Sequence, residues 1–252
     1  MSVLIAHASI SENGTVNGTK GDQTKKEVCI RTWYSKPWGS VIRFTDPNMA
    51  EKVASCMEMA CANDNIGYSQ NTRNTLLNES RKYNYNVSKV TVPVNAECSS
   101  LVSAACMYAG IPESMLVFNG NCATTRSLQQ ALKSTGLVKI YTTPDYTTKD
   151  DKLKRGDILL KSGSHVVVVV KANSNPYKRS VKLIKRGMKS ESVKWLQWQL
   201  NRLGYKLIID GDFGQKTHAA VIDFQQTHSY QGKKLVVDGL VGAATIGALE
   251  NF

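Results

Sequence analysis

The C-terminal part of the chain contains one short sequence pattern twice, and this repetition constrains the fold more than any other feature. Residues 210–214 read Asp-Gly-Asp-Phe-Gly and are followed by Thr217, and residues 238–242 read Asp-Gly-Leu-Val-Gly and are followed by Thr245. In each copy the glycine after the aspartate tolerates the positive φ of a tight turn, and the threonine opens an apolar helix. Two matched turn-and-helix units predict a small helical domain.

A further helix is predicted just before the first copy. Val193, Leu196 and Leu200 recur at spacings of three and four, which is the pattern of the apolar face of a helix. Gly204 can end that helix in the left-handed conformation. The paired aspartates lack the alternating oxygen ligands and the closing glutamate of an EF-hand loop, so we interpret them as turn and capping residues rather than calcium ligands.

This repeat resembles the small three-helix peptidoglycan-binding domain attached to many cell-wall hydrolases. The resemblance implies an all-α wall-binding domain over residues 183–252, with bacterial peptidoglycan as its partner. A generic helical bundle that binds nothing is the alternative. For contact with the wall we select four side chains, namely Trp198, Tyr205, Asp210 and Phe213.

Length and charge set limits on the whole chain. With 252 residues it has room for one larger domain beside the small one. The formal net charge of +12 suits an anionic polymer, either nucleic acid or the anionic polymers of a cell wall. No basic run, zinc finger or RNA-binding signature favours nucleic acid, which we do not expect as a partner.

No apolar stretch approaches the length of a membrane span, so we expect no membrane contact. The first ten residues lack the basic start and the apolar core of a signal peptide. We therefore expect a monomer that stays in the host cytoplasm before lysis and acts at the bacterial cell wall.

Six cysteines lie at positions 29, 56, 61, 98, 106 and 122. None forms a Cys-x-x-Cys pair and the four histidines complete no zinc spacing, so we predict neither a metal site nor a cofactor. Cys56, Cys61 and Cys106 lie in alanine-rich helical sequence and are interpreted as buried reduced thiols. Structural disulfides are not expected without a secretory signal.

Cys98 differs from the other cysteines because a polar stretch precedes it and an apolar helix follows it. That helix is predicted to end at Gly110. A thiol at a helix N-terminus is exposed to the positive end of the helix dipole, which stabilises a thiolate, and a thiolate is the attacking species of cysteine hydrolases.

His165 is the predicted partner of Cys98. It stands immediately before five consecutive valines, a short β-branched run typical of a buried strand. A histidine at the first residue of a strand, beside a loop, can face a cleft and act as general base and then as general acid. A core cysteine and a structural histidine are the alternative interpretation of the pair.

A helix-borne cysteine followed by Gly156-Asp157-Ile158 and a strand that starts at a histidine resembles the papain-like cell-wall peptidases of the NlpC and CHAP type. The combination with a wall-binding repeat resembles phage and prophage endolysins of Gram-positive hosts. The resemblance implies an α+β papain-like catalytic domain, with helices packed on a small antiparallel sheet. We place that domain at residues 1–171 and a linker at 172–182.

The third member of the site is less clear from the sequence. Asn173 lies too far along an extended strand that begins at His165, unless the chain turns early. We therefore select Asp22, in a glycine-led turn, as acceptor for the Nδ1–H of His165, and Gln23 as donor to an oxyanion. The backbone N–H of Cys98 or Ser99 is the alternative donor.

Three aromatic side chains could line a groove for the substrate, although packing inside the domain is the alternative for each. They are Trp33, Tyr34 and Tyr68.

These features predict a peptidoglycan hydrolase in which Cys98 attacks an amide carbonyl and His165 transfers the proton. The family resemblance implies a stem-peptide bond, with the bond between the sugar and L-alanine as the alternative. Two further hypotheses are a wall-binding protein whose hydrolase domain is inactive, and a glycosidase that uses Glu12 and Asp22.

Overall fold

The fold is described from a computed structural model over residues 2–173 and 175–250. The chain divides into two compact units, Met1–Asn173 and Ser174–Phe252, which we call the N-terminal unit and the C-terminal unit. The division falls within the linker predicted at residues 172–182. Each unit has a hydrophobic core of its own.

The N-terminal unit combines ten strands with six α-helices and two short 3₁₀ turns among its described residues. The strands are β1 Leu4–Ala8, β2 Val28–Thr32, β3 Ser40–Phe44, β4 Ile66–Tyr68, β5 Val94–Ala96, β6 Val117–Phe118, β7 Asn121–Cys122, β8 Val138–Tyr141, β9 Ile158–Lys161 and β10 His165–Lys171. The helices are α1 Pro47–Cys61, α2 Thr75–Ser80, α3 Cys98–Tyr108, α4 Glu113–Leu116, α5 Leu128–Ser134 and α6 Pro144–Thr147, and the 3₁₀ turns are Arg81–Tyr83 and Val87–Lys89.

Six of these strands form one antiparallel sheet in the order β2-β1-β10-β9-β3-β8. The valine run lies in the central strand β10, and the alternation of a strand sends its side chains to opposite faces. Val166, Val168 and Val170 pack with α1 and α3 in the larger core. Val167 and Val169 pack on the other face with β1, β3 and the loop before β9. Both faces of β10 are thus buried, as its unbroken apolar sequence predicts.

Local signals fix the two helices that pack on this sheet. The Asp46 side chain caps α1 by accepting the backbone N–H of Asn48, and Pro47 is its first residue. Helix α3 begins at Cys98 behind a capping box, in which Glu97 accepts the N–H of Ser100 and the Ser100 hydroxyl accepts the N–H of Glu97. This cap fixes the position of Cys98 at the end of the helix.

A buried ion pair joins β3 to the start of β9. The Arg43 guanidinium donates from Nε and Nη2 to the two carboxylate oxygens of Asp157, at 2.7 and 2.6 Å. Asp157 is fully buried, and it also accepts the backbone N–H of Lys154. The glycine before it leaves no room for a side chain, because a Cβ at Gly156 would lie 2.4 Å from the carbonyl oxygen of Ala50 in α1.

The C-terminal unit contains α7 Glu191–Arg202, α8 Gln215–Thr227 and α9 Ala243–Glu250, with a short hairpin of β11 Ser229–Tyr230 and β12 Lys233–Lys234. Each repeated Asp-Gly turn is held by a buried glutamine of the preceding helix. Gln197 donates to Asp210 and Thr217 and accepts the N–H of Gly211. In the second copy the side-chain amide of Gln225 donates to Asp238 and Thr245 and accepts the backbone N–H of Gly239.

A mixed α and β architecture with an antiparallel sheet, followed by a helical unit, is therefore confirmed, whereas the papain-like type stays a prediction. The helix at Cys98 and the strand that begins at His165 lie where the sequence patterns place them. Strands β1 and β3 were not predicted.

Candidate functional site

A cavity of about 450 Å³ in the N-terminal unit brings Cys98 and His165 together. Its wall is mainly polar and includes residues from the start of α3, the start of β10 and several loops. The lining residues are Ser9, Tyr34, Lys36, Tyr68, Gln70, Arg73, Glu97, Cys98, Ser99, Thr124, Thr125, Gly163, Ser164 and His165.

The Cys98 thiol lies at the first residue of α3 and is 7% exposed. It donates to Glu97 Oε2 at 3.2 Å, and the backbone N–H of Val166 lies near the sulfur. Burial raises the pKa of Cys98, and the Glu97 carboxylate raises it further. The resting group is therefore a thiol that donates to Glu97. The backbone N–H groups of Ser99 and Ser100, at the start of α3, donate to the Glu97 carboxylate.

Glu97 contacts both Cys98 and Arg73, which line the cavity. Its carboxylate forms an ion pair of 2.7 Å with Arg73 and accepts hydrogen bonds from the backbone N–H and the hydroxyl of Ser99. Arg73 in turn donates to the carbonyl oxygens of Cys122 and Ala123. This role was not predicted, because Glu97 and Ser100 have the three-residue spacing of a capping box but in the reverse of its usual order.

His165 forms a hydrogen bond with a second histidine rather than with a carboxylate. Its Nε2 lies 3.0 Å from Nδ1 of His7, which is in the neighbouring strand β1. Both side chains are more than nine-tenths buried. His7, like Glu97, was not predicted as a residue of the site.

Both histidines are neutral at neutral pH because burial disfavours the charged imidazolium. Burial lowers the pKa of His165 to about 3, with His7, Lys36 and Arg31 contributing in the same direction. Burial likewise lowers the pKa of His7 to about 4, with Arg31 and Lys36 contributing. A thiol and a neutral imidazole therefore share the cavity, and the imidazole can accept a proton.

Asp22 does not contact His165. Its carboxylate is buried and accepts the backbone N–H groups of four residues in the turn before β2, namely Thr24, Lys26, Glu27 and Val28. These bonds hold the turn together, which is the ordinary role of an aspartate in a glycine-led loop. The ring of His165 contacts His7 instead, through Nε2 and not through the Nδ1 that we assigned to Asp22.

The structure places the other predicted side chains of this unit in two groups. Ser99, Tyr34 and Tyr68 line the cavity. Gln23 is exposed, outside the cavity lining, and its backbone N–H donates to Glu12. Trp33 packs against the smaller core on the far face of the sheet. Since Asp22 is engaged by backbone groups, Glu12 and Asp22 do not form a pair of carboxylates across a cleft.

The predicted wall-contact residues differ in exposure. Phe213 is fully buried in the core of the C-terminal unit, and Asp210 holds its turn by accepting from Gln197. Phe213 therefore belongs to the core, whereas Asp210 is exposed and keeps a surface position while it holds the turn. Trp198 is half-buried beneath the Arg202 guanidinium, and the Tyr205 hydroxyl donates to Asp223 at 2.6 Å.

The described residues show neither a membrane-spanning helix nor a grouped set of metal ligands. No helix within 2–173 or 175–250 has the length and apolar character needed to cross a bilayer. Over the same residues, no three His, Cys, Asp or Glu side chains are grouped so that they could hold a metal ion.

Comparison with known proteins gives a family for each unit. Residues 5–176 match the family model described as an endolysin-like domain, and residues 189–249 match a model described as a peptidoglycan binding domain. The first match extends over more than half of the chain, so the chain belongs to the endolysin-like domain family. The two matches together give an endolysin-like domain followed by a peptidoglycan binding domain.

Individual relatives are similar over part of their length. The chain is 35% identical over 117 residues to the type VI secretion system spike protein VgrG3 of Vibrio cholerae serotype O1. That alignment takes in 43% of this chain and 10% of VgrG3, so the chain spans about a tenth of this relative. The crystal structure of the Burkholderia AP3 phage endolysin is 37% identical over 28% of this chain and 25% of that chain, with a TM-score of 0.25.

Proposed function

We propose that the N-terminal unit hydrolyses an amide bond of bacterial peptidoglycan, with Cys98 as nucleophile and His165 as general base. The observation that carries this proposal is the shared cavity, in which a helix-start thiol and a neutral imidazole face the same space. The C-terminal unit holds the enzyme on the polymer. In this proposal the host wall is that of a Gram-positive bacterium and the fold is of the papain type.

The geometry supports attack by a thiol that is deprotonated as it reacts. The Nε2 of His165 is engaged by His7, which leaves Nδ1 to accept the thiol proton. In the resting site the thiol is directed to Glu97, so Cys98 must release that carboxylate before attack. His165 then returns the proton to the leaving amine, and water hydrolyses the acyl-enzyme. The backbone N–H of Cys98 is our proposed oxyanion donor, since Glu97 accepts that of Ser99.

The charge of the cavity favours an acidic substrate. Arg73 is neutralised by Glu97, whereas Lys36 has no ion-pair partner among the residues that the structure describes. A half-buried ammonium group in this position suits a carboxylate of the stem peptide. We therefore favour the bond between the D-γ-glutamyl residue and the diamino acid, since free carboxylates flank it. The bond between the sugar and L-alanine is the second candidate.

The test is digestion of purified peptidoglycan by the full chain, with the products identified by mass spectrometry. Existing amines in the wall are first acetylated, so that every free amine found afterwards is new. New amines at one defined position support the proposal and identify the bond. New reducing ends without new amines would show a glycosidase, and the absence of products from walls of several chemotypes would favour a wall-binding protein.

Lys36 provides a prediction about substrate preference. Replacing Lys36 with Met is expected to lower kcat/KM about tenfold on stem peptides with a free glutamyl carboxylate, the size of one lost charge-assisted hydrogen bond. Activity on the same peptides with that carboxylate amidated should not change. The measurement is a paired assay of both peptides, with Lys133→Met, an exposed change on α5, as control. Equal losses on both peptides would contradict the assignment.

A further inference from the structure

Cys29 lies next to the histidine pair, on the side away from the cavity. Its Sγ is 3.5 Å from Nε2 of His7, and Nδ1 of His7 is the atom that contacts His165. Strands β2, β1 and β10 are neighbours in the sheet, so these three side chains form a row across adjacent strands. The row runs from a half-buried thiol to the base in the cavity.

The hydrogen bond between the histidines restricts where their protons lie. A neutral imidazole carries one proton, so one ring nitrogen donates and the other accepts. If His165 donates from Nε2, its Nδ1 is free to accept a proton, and His7 must then carry its own proton on Nε2. If His7 donates from Nδ1 instead, His165 carries its proton on Nδ1 and cannot act as a base through that atom.

We propose that Cys29 is a positioning residue that selects the first of these arrangements, by accepting a hydrogen bond from Nε2 of His7. This inference rests on the proposed function of His165. When the sulfur accepts, His7 is fixed as the Nε2–H tautomer, its Nδ1 becomes an acceptor, and His165 is held with a free Nδ1. Cys29 thus affects the reaction through two histidines without touching the substrate.

The environment of Cys29, His7 and His165 keeps all three side chains neutral. Burial raises the pKa of Cys29, so its sulfur remains a neutral thiol. Arg31 lies beside Cys29 in β2, and its charge, together with that of Lys36, opposes a second proton on either imidazole. Each ring therefore carries one proton in the resting site at neutral pH, and His165 takes up a second proton only while Cys98 reacts.

The first experiment reads the tautomers directly by ¹⁵N nuclear magnetic resonance of histidine side chains in the full chain. His7→Asn and His165→Asn assign the two signals among the four histidines. We expect both His7 and His165 to be neutral and to carry the proton on Nε2. A proton on Nδ1 of His165 in the wild type would overturn the proposal, whatever the activity of the protein.

The second experiment uses variants at Cys29. Cys29→Ala removes the acceptor and is expected to lower kcat about fivefold to tenfold with KM unchanged, the size of one neutral hydrogen bond. Cys29→Asp supplies a stronger acceptor and is expected to restore kcat and the Nε2–H signal of His7. Cys56→Ala, a buried change in α1, is the control. Loss in Cys29→Ala without rescue by Cys29→Asp would contradict the role.

These readouts separate two kinds of failure. If the wild type cleaves no wall but shows the expected tautomers, the proposed function fails and the arrangement of protons stands. If the wild type cleaves the wall and His165 carries its proton on Nδ1, the function stands and the role of Cys29 fails.

Discussion

A Cys98→Ala variant is expected to lose wall hydrolysis, with kcat lowered by about 10³-fold or more, and to keep its binding to wall material. The loss follows because the cavity then contains a base without a nucleophile, and removal of one member of such a unit costs about as much as removal of all. Binding should persist because the C-terminal unit has its own core. Release of soluble muropeptides and cosedimentation with purified walls measure the two properties.

The matched control for this variant is Cys106→Ala. Cys106 lies in the same helix α3 but is fully buried among core residues, away from the cavity. We expect a small loss of stability, as for other small core truncations, and unchanged kcat. Full lysis by Cys98→Ala would show that Cys98 is not the nucleophile. Equal losses of hydrolysis in both variants would indicate a folding defect.

Replacing Arg43 with Met is expected to lower the free energy of unfolding of the N-terminal unit by about 3–5 kcal/mol. The physical reason is that Asp157, which is fully buried, would lose the guanidinium that donates to both its oxygens. Burial already raises the pKa of Asp157, so its charge is stabilised chiefly by that partner and nearby donors. Hydrogen exchange of peptides from β3 and β9 measures the loss in this unit alone.

Two further variants isolate the cause. Arg43→Met combined with Asp157→Asn should recover much of the lost stability, because no unpaired charge is then buried. Arg81→Met breaks the partly exposed pair with Glu113 and should cost about 1 kcal/mol or less, as solvent screens such pairs. If Arg81→Met cost as much as Arg43→Met, burial would not be the reason for the difference.

The parts of the site that carry local signals could be predicted from sequence. Cys98 follows a polar stretch and opens an apolar helix, and His165 opens a run of valines, so each position is marked by its immediate neighbours. No local sequence pattern predicts the contact between His7 and His165. Strand β1 is a five-residue segment with a histidine at its fourth position, and its partner strand is encoded far along the chain.

Errors in the prediction have a common physical origin, because side-chain direction depends on packing that a local pattern does not specify. Asp22 was assigned to a cleft, but its carboxylate turns inward to bind backbone groups of its own loop. Phe213 was selected as a side chain that contacts the wall. The second repeat has Val241 at the corresponding position, and both side chains are fully buried. An apolar residue at the same position of both copies indicates a core position, and this pattern is visible in the sequence.

The pair His7–His165 joins residues 158 positions apart in sequence. During synthesis, β1 leaves the ribosome long before β10, and it must stay without its central partner until nearly all of the N-terminal unit has been made. Closing so long a segment is a late and slow step, as for other non-local strand pairings. A nascent or prematurely terminated chain therefore has a thiol but no oriented base, which would delay lytic activity until the unit is complete.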